Sequence, residues 1–302
     1  MATAWPARRR SELARSSGRR ATSFALEGST HNRHVYAFGT VSAQPLMSRD
    51  AGLGCGSWPA RGLIKVAVAA TARLGLGSFV TGETAGTWEA ARQLVVDTAR
   101  RLVADGLIIG TQGNVSVRID DETAALSPSS LPYDHMTPAD VVICKLDGEV
   151  LDGDRTPTSE KDLHLTVLAA FPEVGSVVHM HPLYASMFAL VHQPIPAVIE
   201  EVGMFVGGDI PCADWKPTGS AELATEIALH LADCSAVLMA NHGMCCIGAD
   251  ADGAVHSAGI VERTAQIVWG ARQLGQPIIP LPPGHADSLA EVYRYLRSAG
   301  KF

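Results

Sequence analysis

The sequence predicts an α/β fold, a sheet covered by helices. Three observations predict it. Helix-period and strand-period segments alternate from residue 87 to residue 274. Glycine, proline or aspartate punctuates many of the changes. Hydrophobic residues make up 47% of the 302 positions, ample for a core.

The elements follow in order. Residues 87–104 set Trp88, Ala91, Leu94, Val95, Ala99 and Leu102 close to helical spacing, with Thr87 as N-cap and Asp105-Gly106 as the stop. A glycine-bounded turn, Gly110 to Gly113, enters the alternating strand Asn114-Val115-Ser116-Val117-Arg118. Strand signals recur at 124–126 and 141–145, before the turn Asp147-Gly148. Residues 160–170 read as a helix ended by Pro172, 177–181 as a strand, and 182–191 as a helix with proline in its first turn. A helix at 219–232, a strand at 236–240 and a long helix at 252–274 follow. Pro277, Pro280, Pro282 and Pro283 mark an extended segment before a short helix at 287–297.

Charge divides the chain. Residues 1–80 carry 11 Lys and Arg against 3 Asp and Glu, and the remainder carries 13 against 28. The first 82 residues, rich in Arg, Ser, Gly and Ala, read as a basic extension of low order, and residues 83–302 as the folded domain. The runs Arg8-Arg9-Arg10 and Arg19-Arg20 also fit a transit peptide or a nucleic-acid arm. An acidic body argues against nucleic acid as its partner. Lys65 and Arg73 interrupt the longest apolar run, so no membrane span is expected. Six cysteines without Cys-x-x-Cys spacing fit a reducing, cytoplasmic location.

Three histidines carry the chemistry. His179 and His181 stand at the end of an apolar run, and period-two alternation puts both imidazoles on one face of a strand. His242 follows a second apolar run, Ala236 to Met239, and meets the pair if the two strands are neighbours. Three neutral imidazoles with an open position suit catalytic Zn²⁺ or another divalent metal. The alternative is that the pair faces core or solvent and His242 closes a loop.

Two hydroxyl-rich loops are the second signal. Ser127-Pro128-Ser129-Ser130 and Thr156-Pro157-Thr158-Ser159 each offer hydroxyls and backbone N–H groups at a turn, the second at a helix start. With Asn114 they can cradle one phosphate without Lys or Arg. As plain structure, they are Ser-Pro and Thr-Pro turns with an N-cap. Glu160 comes next. If its helix points at the metal, its carboxylate can exchange a proton with a bound substrate, and burial would raise its pKa toward neutrality. An acid/base paired with a Lewis acid is what enolate chemistry requires.

Together the chain resembles the class II aldolase/adducin family, and within it the L-fuculose-1-phosphate aldolases. The matching landmarks are Gly113 to Arg118, Ser127 to Tyr133, Pro157 to Glu160, His179-Met180-His181, Ile210 to Ala213, Gly219 to Leu223, and Asn241-His242-Gly243, in family order over roughly residues 85–285. The resemblance implies a three-layer α/β/α sandwich around a central mixed β-sheet. It implies Zn²⁺ on His179, His181 and His242, with Glu160 as acid/base. Asn114, Ser129, Ser130, Thr158 and Ser159 align with phosphate-binding positions. It further implies a cyclic homotetramer with active sites between subunits. The reaction would split a ketose 1-phosphate into dihydroxyacetone phosphate and an aldehyde.

Three departures touch the substrate. Ser130 replaces a loop glycine, Glu200 stands where a neighbouring subunit's tyrosine is expected, and Tyr293 and Tyr295 are out of register with a second tyrosine. Glu200 thus reads either as a different acid or as a solvated residue. The same fold also admits an epimerase, dehydratase or decarboxylase on a related sugar phosphate or hydroxy-keto acid, or a non-catalytic adducin-like binding module.

Overall fold

The structure is a computed structural model that describes residues 87–282 and 284–302. The basic extension expected over residues 1–82 lies outside the described residues. Eight strands form one sheet in the order β4-β3-β2-β1-β5-β8-β7-β6. They are β1 Gly113–Arg118, β2 Thr123–Leu126, β3 Val142–Lys145, β4 Val150–Asp152, β5 Ser176–Met180, β6 Cys212–Ala213, β7 Ala236–Met239 and β8 Gly243–Gly248. Only the β6–β7 pair is parallel, so the sheet is mixed. The helices are α1 Trp88–Ala104, α2 Lys161–Ala170, α3 Leu183–Leu190, α4 Glu200–Phe205, α5 Ala221–His230, α6 Ala251–Gln273 and α7 His285–Ser298.

Strand parity assigns the buried apolar residues of the central strands to two layers. Val115, Val117, Val178, Leu238 and Cys246 point to one face, where Val95, Ala99 and Leu102 of α1, Phe188 of α3 and Ala258 and Val261 of α6 cover them. Their strand neighbours Val177, Val237, Cys245 and Ile247 point the other way, against Leu163 and Leu168 of α2 and Leu223 and Ile227 of α5. Helices therefore cover both faces, and the fold is the three-layer sandwich. Covered strands bury both sides, which explains their near-continuous apolar runs.

Strand β1 departs from that rule, and the departure builds the site. Its α2-facing side carries Asn114, Ser116 and Arg118, all buried. Arg118 spends its guanidinium on the end of α2, donating to the Leu168, Phe171 and Val174 carbonyls. Of these, Leu168 O belongs to the last turn of the helix, whose carbonyls lack partners within it. The register Asn114↔His179↔Cys245 then places Asn114 beside His179 on the same face.

Several sequence expectations shift. Thr87 caps α1 as predicted, accepting from Ala90 N. The strand expected at 177–181 ends at Met180, so His181 sits just past it. The segment after His242 is a full strand, β8. It separates β7 from β5, so the two histidine-bearing strands are not neighbours as the sequence reading required. His242 reaches the pair because it lies in the β7–β8 turn, closed by the pairing of Met239 with Gly243, and β8 pairs with β5.

Candidate metal and acid/base site

Each functional side chain is delivered by a chain reversal or an element end. His179 is the penultimate residue of β5 and is buried, and His181 lies just past the strand's end. Pro182 then starts α3, whose first N–H groups, those of Tyr184 and Ala185, donate to the Glu262 carboxylate at 2.9 and 2.8 Å. Glu262, on α6, thus anchors the chain three residues after His181. His242 follows Asn241, which adopts the left-handed conformation at φ 56°. Gly243 is required next: a Cβ there would lie 2.4 Å from His181 Cδ2.

The three imidazoles close a triangle. Ring centroids are 4.8 Å apart for His179–His181, 4.7 Å for His179–His242 and 4.8 Å for His181–His242. One ligand atom from each lies within 4.8 Å of the others. His179 Nδ1 sits 2.9 Å from the Met244 carbonyl. That contact has Nδ1 donate to the carbonyl and turns Nε2 toward the other rings and toward Glu160. Burial, then the neighbouring rings, push His181 down to about 4, and burial also lowers His242. Neutral imidazoles with free lone pairs are the form that binds a cation.

Glu160 completes the cluster. It is the N-cap residue of α2 and is buried. Oε2 lies 3.0 Å from His179 Nε2 and accepts from Asn114 Nδ2 at 3.0 Å. Oε1 is 3.8 Å from His242 Nε2 and has no hydrogen-bond partner. An orphaned buried acceptor costs about 1–3 kcal/mol. Beside three converging imidazole nitrogens, that orphan fits a bound divalent cation, with His179, His181 and His242 as the donor set. The expected rise in the Glu160 pKa is not found. Burial acts upward, but the charge and hydrogen bond of His179, the Asn114 amide and His242 outweigh it. The carboxyl is held well below the ordinary carboxylate value.

The two hydroxyl loops are joined. Pro128 and Pro157 form a bridge, Ser129 N donates to Thr156 O, and Thr158 N donates to Ser127 O, each at 3.0 Å. Ser127 Oγ ties the pair to β1 by accepting from Val115 N. Ser129 and Ser130 face one another at 3.3 Å between hydroxyls, Ser130 and Ser159 are exposed, and Thr158 is buried with Oγ1 accepting from Glu160 N. Four of the five predicted phosphate residues are therefore brought together. The amide of Asn114 binds Glu160 on one side and His164 on the other. Glu200 does not join the cluster within the chain: it is exposed and pairs with His285 at 2.8 Å.

Sequence reasoning missed His164, Glu262 and the His192–Asn241 contact. His164 was findable, because Glu160 and His164 are four residues apart and so share one helix face. The other two rest on tertiary proximity alone.

Residues 93–269 match the family described as the class II aldolase and adducin N-terminal domain. The chain is 34% identical over 203 residues to a 5-deoxy-D-ribulose 1-phosphate aldolase of Bacillus thuringiensis, covering 67% of this chain and 94% of that protein. It is 35% identical over 205 residues to a 5-methylthioribulose-1-phosphate/5-deoxyribulose-1-phosphate aldolase of Rhodospirillum rubrum, covering 68% and 91%. Among solved structures, an L-fuculose 1-phosphate aldolase superposes with a TM-score of 0.65 at 27% identity, covering 70% of this chain and all of that one. With its family motifs assembled around one cluster, the chain belongs to the class II aldolase/adducin family.

Proposed function

We propose that this protein is a divalent-metal-dependent aldolase, of the zinc type, that splits a ketose 1-phosphate into dihydroxyacetone phosphate and an aldehyde. The observation that carries this reading is the orphaned Glu160 Oε1, set against three converging imidazoles and followed along α2's entry by the joined hydroxyl loops. The relatives named for 5-deoxyribulose 1-phosphate and fuculose 1-phosphate support it.

His179, His181 and His242 would hold the cation, and a cation held there supplies Lewis-acid stabilisation of negative charge on substrate oxygens. The chain's own residues do the rest. Hydroxyls and N–H groups of Ser129, Ser130, Thr158 and Ser159 bind the 1-phosphate and fix the sugar's register. In cleavage the C3–C4 bond breaks, the C4 hydroxyl gives its proton to the ionised Glu160 carboxylate and becomes the aldehyde, and C3 keeps the bonding pair. Glu160 then delivers a proton to C3, and in the reverse direction removes it.

The reading includes a homotetramer with sites between subunits. Exposed Leu183, Leu190, Val191 and Trp269 support it as material for subunit contacts. Glu200 is the proposed second acid, contributed to a neighbouring subunit's site. Cytoplasmic location is part of the proposal, supported by five unbridged cysteines among the described residues. Among those residues no helix is long and apolar enough to cross a membrane.

The test is a panel of ketose 1-phosphates, with 5-deoxyribulose, 5-methylthioribulose and fuculose 1-phosphates included, offered to the zinc-loaded protein with dihydroxyacetone phosphate as the readout. Release of that product from at least one is expected. Consumption without release would replace the reading by an epimerase or dehydratase. No consumption of any would overturn it.

A further inference from the structure

Behind Glu160 runs a line of buried polar groups that metal binding and proton transfer do not use. Asn114 Nδ2 donates to Glu160 Oε2. Asn114 Oδ1 faces His164 Nε2 within hydrogen-bond distance, and His164 Nδ1 lies 2.7 Å from Ser116 Oγ. Ser116 and His164 are wholly inaccessible to solvent, and Asn114 is buried.

The chemistry of the end group fixes the direction of every bond in the line. A carboxylate only accepts, so Asn114 must present its NH₂ to Glu160 and its carbonyl to His164. His164 must then carry its proton on Nε2. Its Nδ1 is left bare and accepts from the Ser116 hydroxyl. Reversing any member sets two acceptors or two donors against each other in a dry interior, at a cost of about 1–3 kcal/mol for each unpaired group. The line stops at Ser116, whose carbonyl accepts from the equally buried Ser176 hydroxyl. A path that never reaches solvent cannot exchange protons with it. Its use is orientation.

We propose that His164 is a positioning residue for Glu160: as the Nε2–H tautomer it locks the Asn114 amide, which pins Oε2 and leaves Oε1 free to face the histidine cluster and what binds there. The kinetic consequence rests on the aldolase reading, whereas the tautomer and the locked amide do not. His164 shares the first turn of α2 with Glu160, so helix and strand β1 aim the carboxylate from two sides.

The experiment compares wild type with His164→Leu, which removes both ring nitrogens, and His164→Gln, which restores a donor toward Asn114. In zinc-loaded protein, His164→Leu keeps stoichiometric metal and an unchanged KM, while kcat falls about 10–100-fold, the usual effect of losing an outer-shell partner. His164→Gln recovers most of that loss. Unchanged kcat in His164→Leu, equal losses in both variants, or a loss confined to metal content overturns the proposal. A second arm needs no activity and no metal. Nitrogen NMR of histidine-labelled wild type shows His164 as Nε2–H, and the Asn114 side-chain amide is protected from exchange in wild type and His164→Gln but not in His164→Leu. An Nδ1–H tautomer, or equal protection in all three, overturns the proposal. If the wild type cleaves no ketose 1-phosphate, the aldolase reading fails, and this second arm alone decides the role of His164. It stands on wild type and His164→Gln if the leucine variant does not fold.

Discussion

His192 Nε2 lies 2.6 Å from Asn241 Oδ1, and the contact holds the turn that presents His242. Both residues are in the left-handed conformation, at φ 52° and 56°. Asn241 N also donates to Ala189 O at 3.1 Å, so the turn is tied to the end of α3 by side chain and backbone. Asparagine tolerates that conformation, whereas alanine pays about 1–2 kcal/mol for it. Asn241→Ala is expected to weaken zinc binding roughly tenfold, measured by competition with a chromophoric chelator. Asn241→Gly keeps the backbone and loses only the side-chain contact, so its affinity should fall between the two.

Glu160→Gln should leave the fold intact and lower turnover by a factor on the order of 10² or more on any true substrate. The check is steady-state kinetics at matched zinc content. Unchanged turnover would remove Glu160 from proton transfer.

Acid should weaken the metal-free protein through His164. Burial drives its pKa from an ordinary 6.5 down to about 3, against the attraction of Glu160. Unfolding frees the ring to bind a proton, so between these values the unfolded state holds more protons than the folded one. The contribution of the neutral ring is complete above about pH 6.5 and is lost as pH falls toward 3. Urea unfolding in the presence of a chelator should show a stability slope over that window that is shallower in His164→Gln. Parallel slopes would show that His164 titrates normally.

Gly243→Ala should damage the metal centre and the fold together. The added methyl would meet His181 Cδ2 and the Met180 carbonyl, each at 2.4 Å. Overpacking of this kind costs about 1–3 kcal/mol. Thermal melts with and without zinc read both effects, and a variant that keeps wild-type zinc affinity would contradict the close packing described.

Ser130 sits at φ 60°, where glycine is free of strain. Ser130→Gly should gain up to about 1 kcal/mol from relief of that strain. If the hydroxyl binds the 1-phosphate, KM rises while kcat is held. An unchanged KM would take Ser130 out of the phosphate site.

The sequence made the periodic elements legible and left the short ones hidden. Helix α1 could be read because seven buried residues follow one stripe and Thr87 caps it. Strand β6 has two residues and β4 three, too few for a period to show. Strand β8 was missed because Gly243-Met244-Cys245-Cys246-Ile247-Gly248 is buried on both faces and carries no alternation. The three histidines and Glu160 could be picked out because their residue types are costly to bury without a task. The second role of Asn114 could not, since an asparagine that holds a carboxylate and one that holds a phosphate look alike in a string of letters. Only the register with His179 separates them.

The strands that seat the histidines and Asn114 are the sheet's innermost, with β1 and β5 at its centre and β8 beside them. The outermost, β4 and β6, contribute none of these groups. Lengthening, exchanging or fusing material at those margins leaves the cation seat unmoved. The periphery of the sheet is therefore the place to begin if this scaffold is to carry added material without disturbing the clustered side chains.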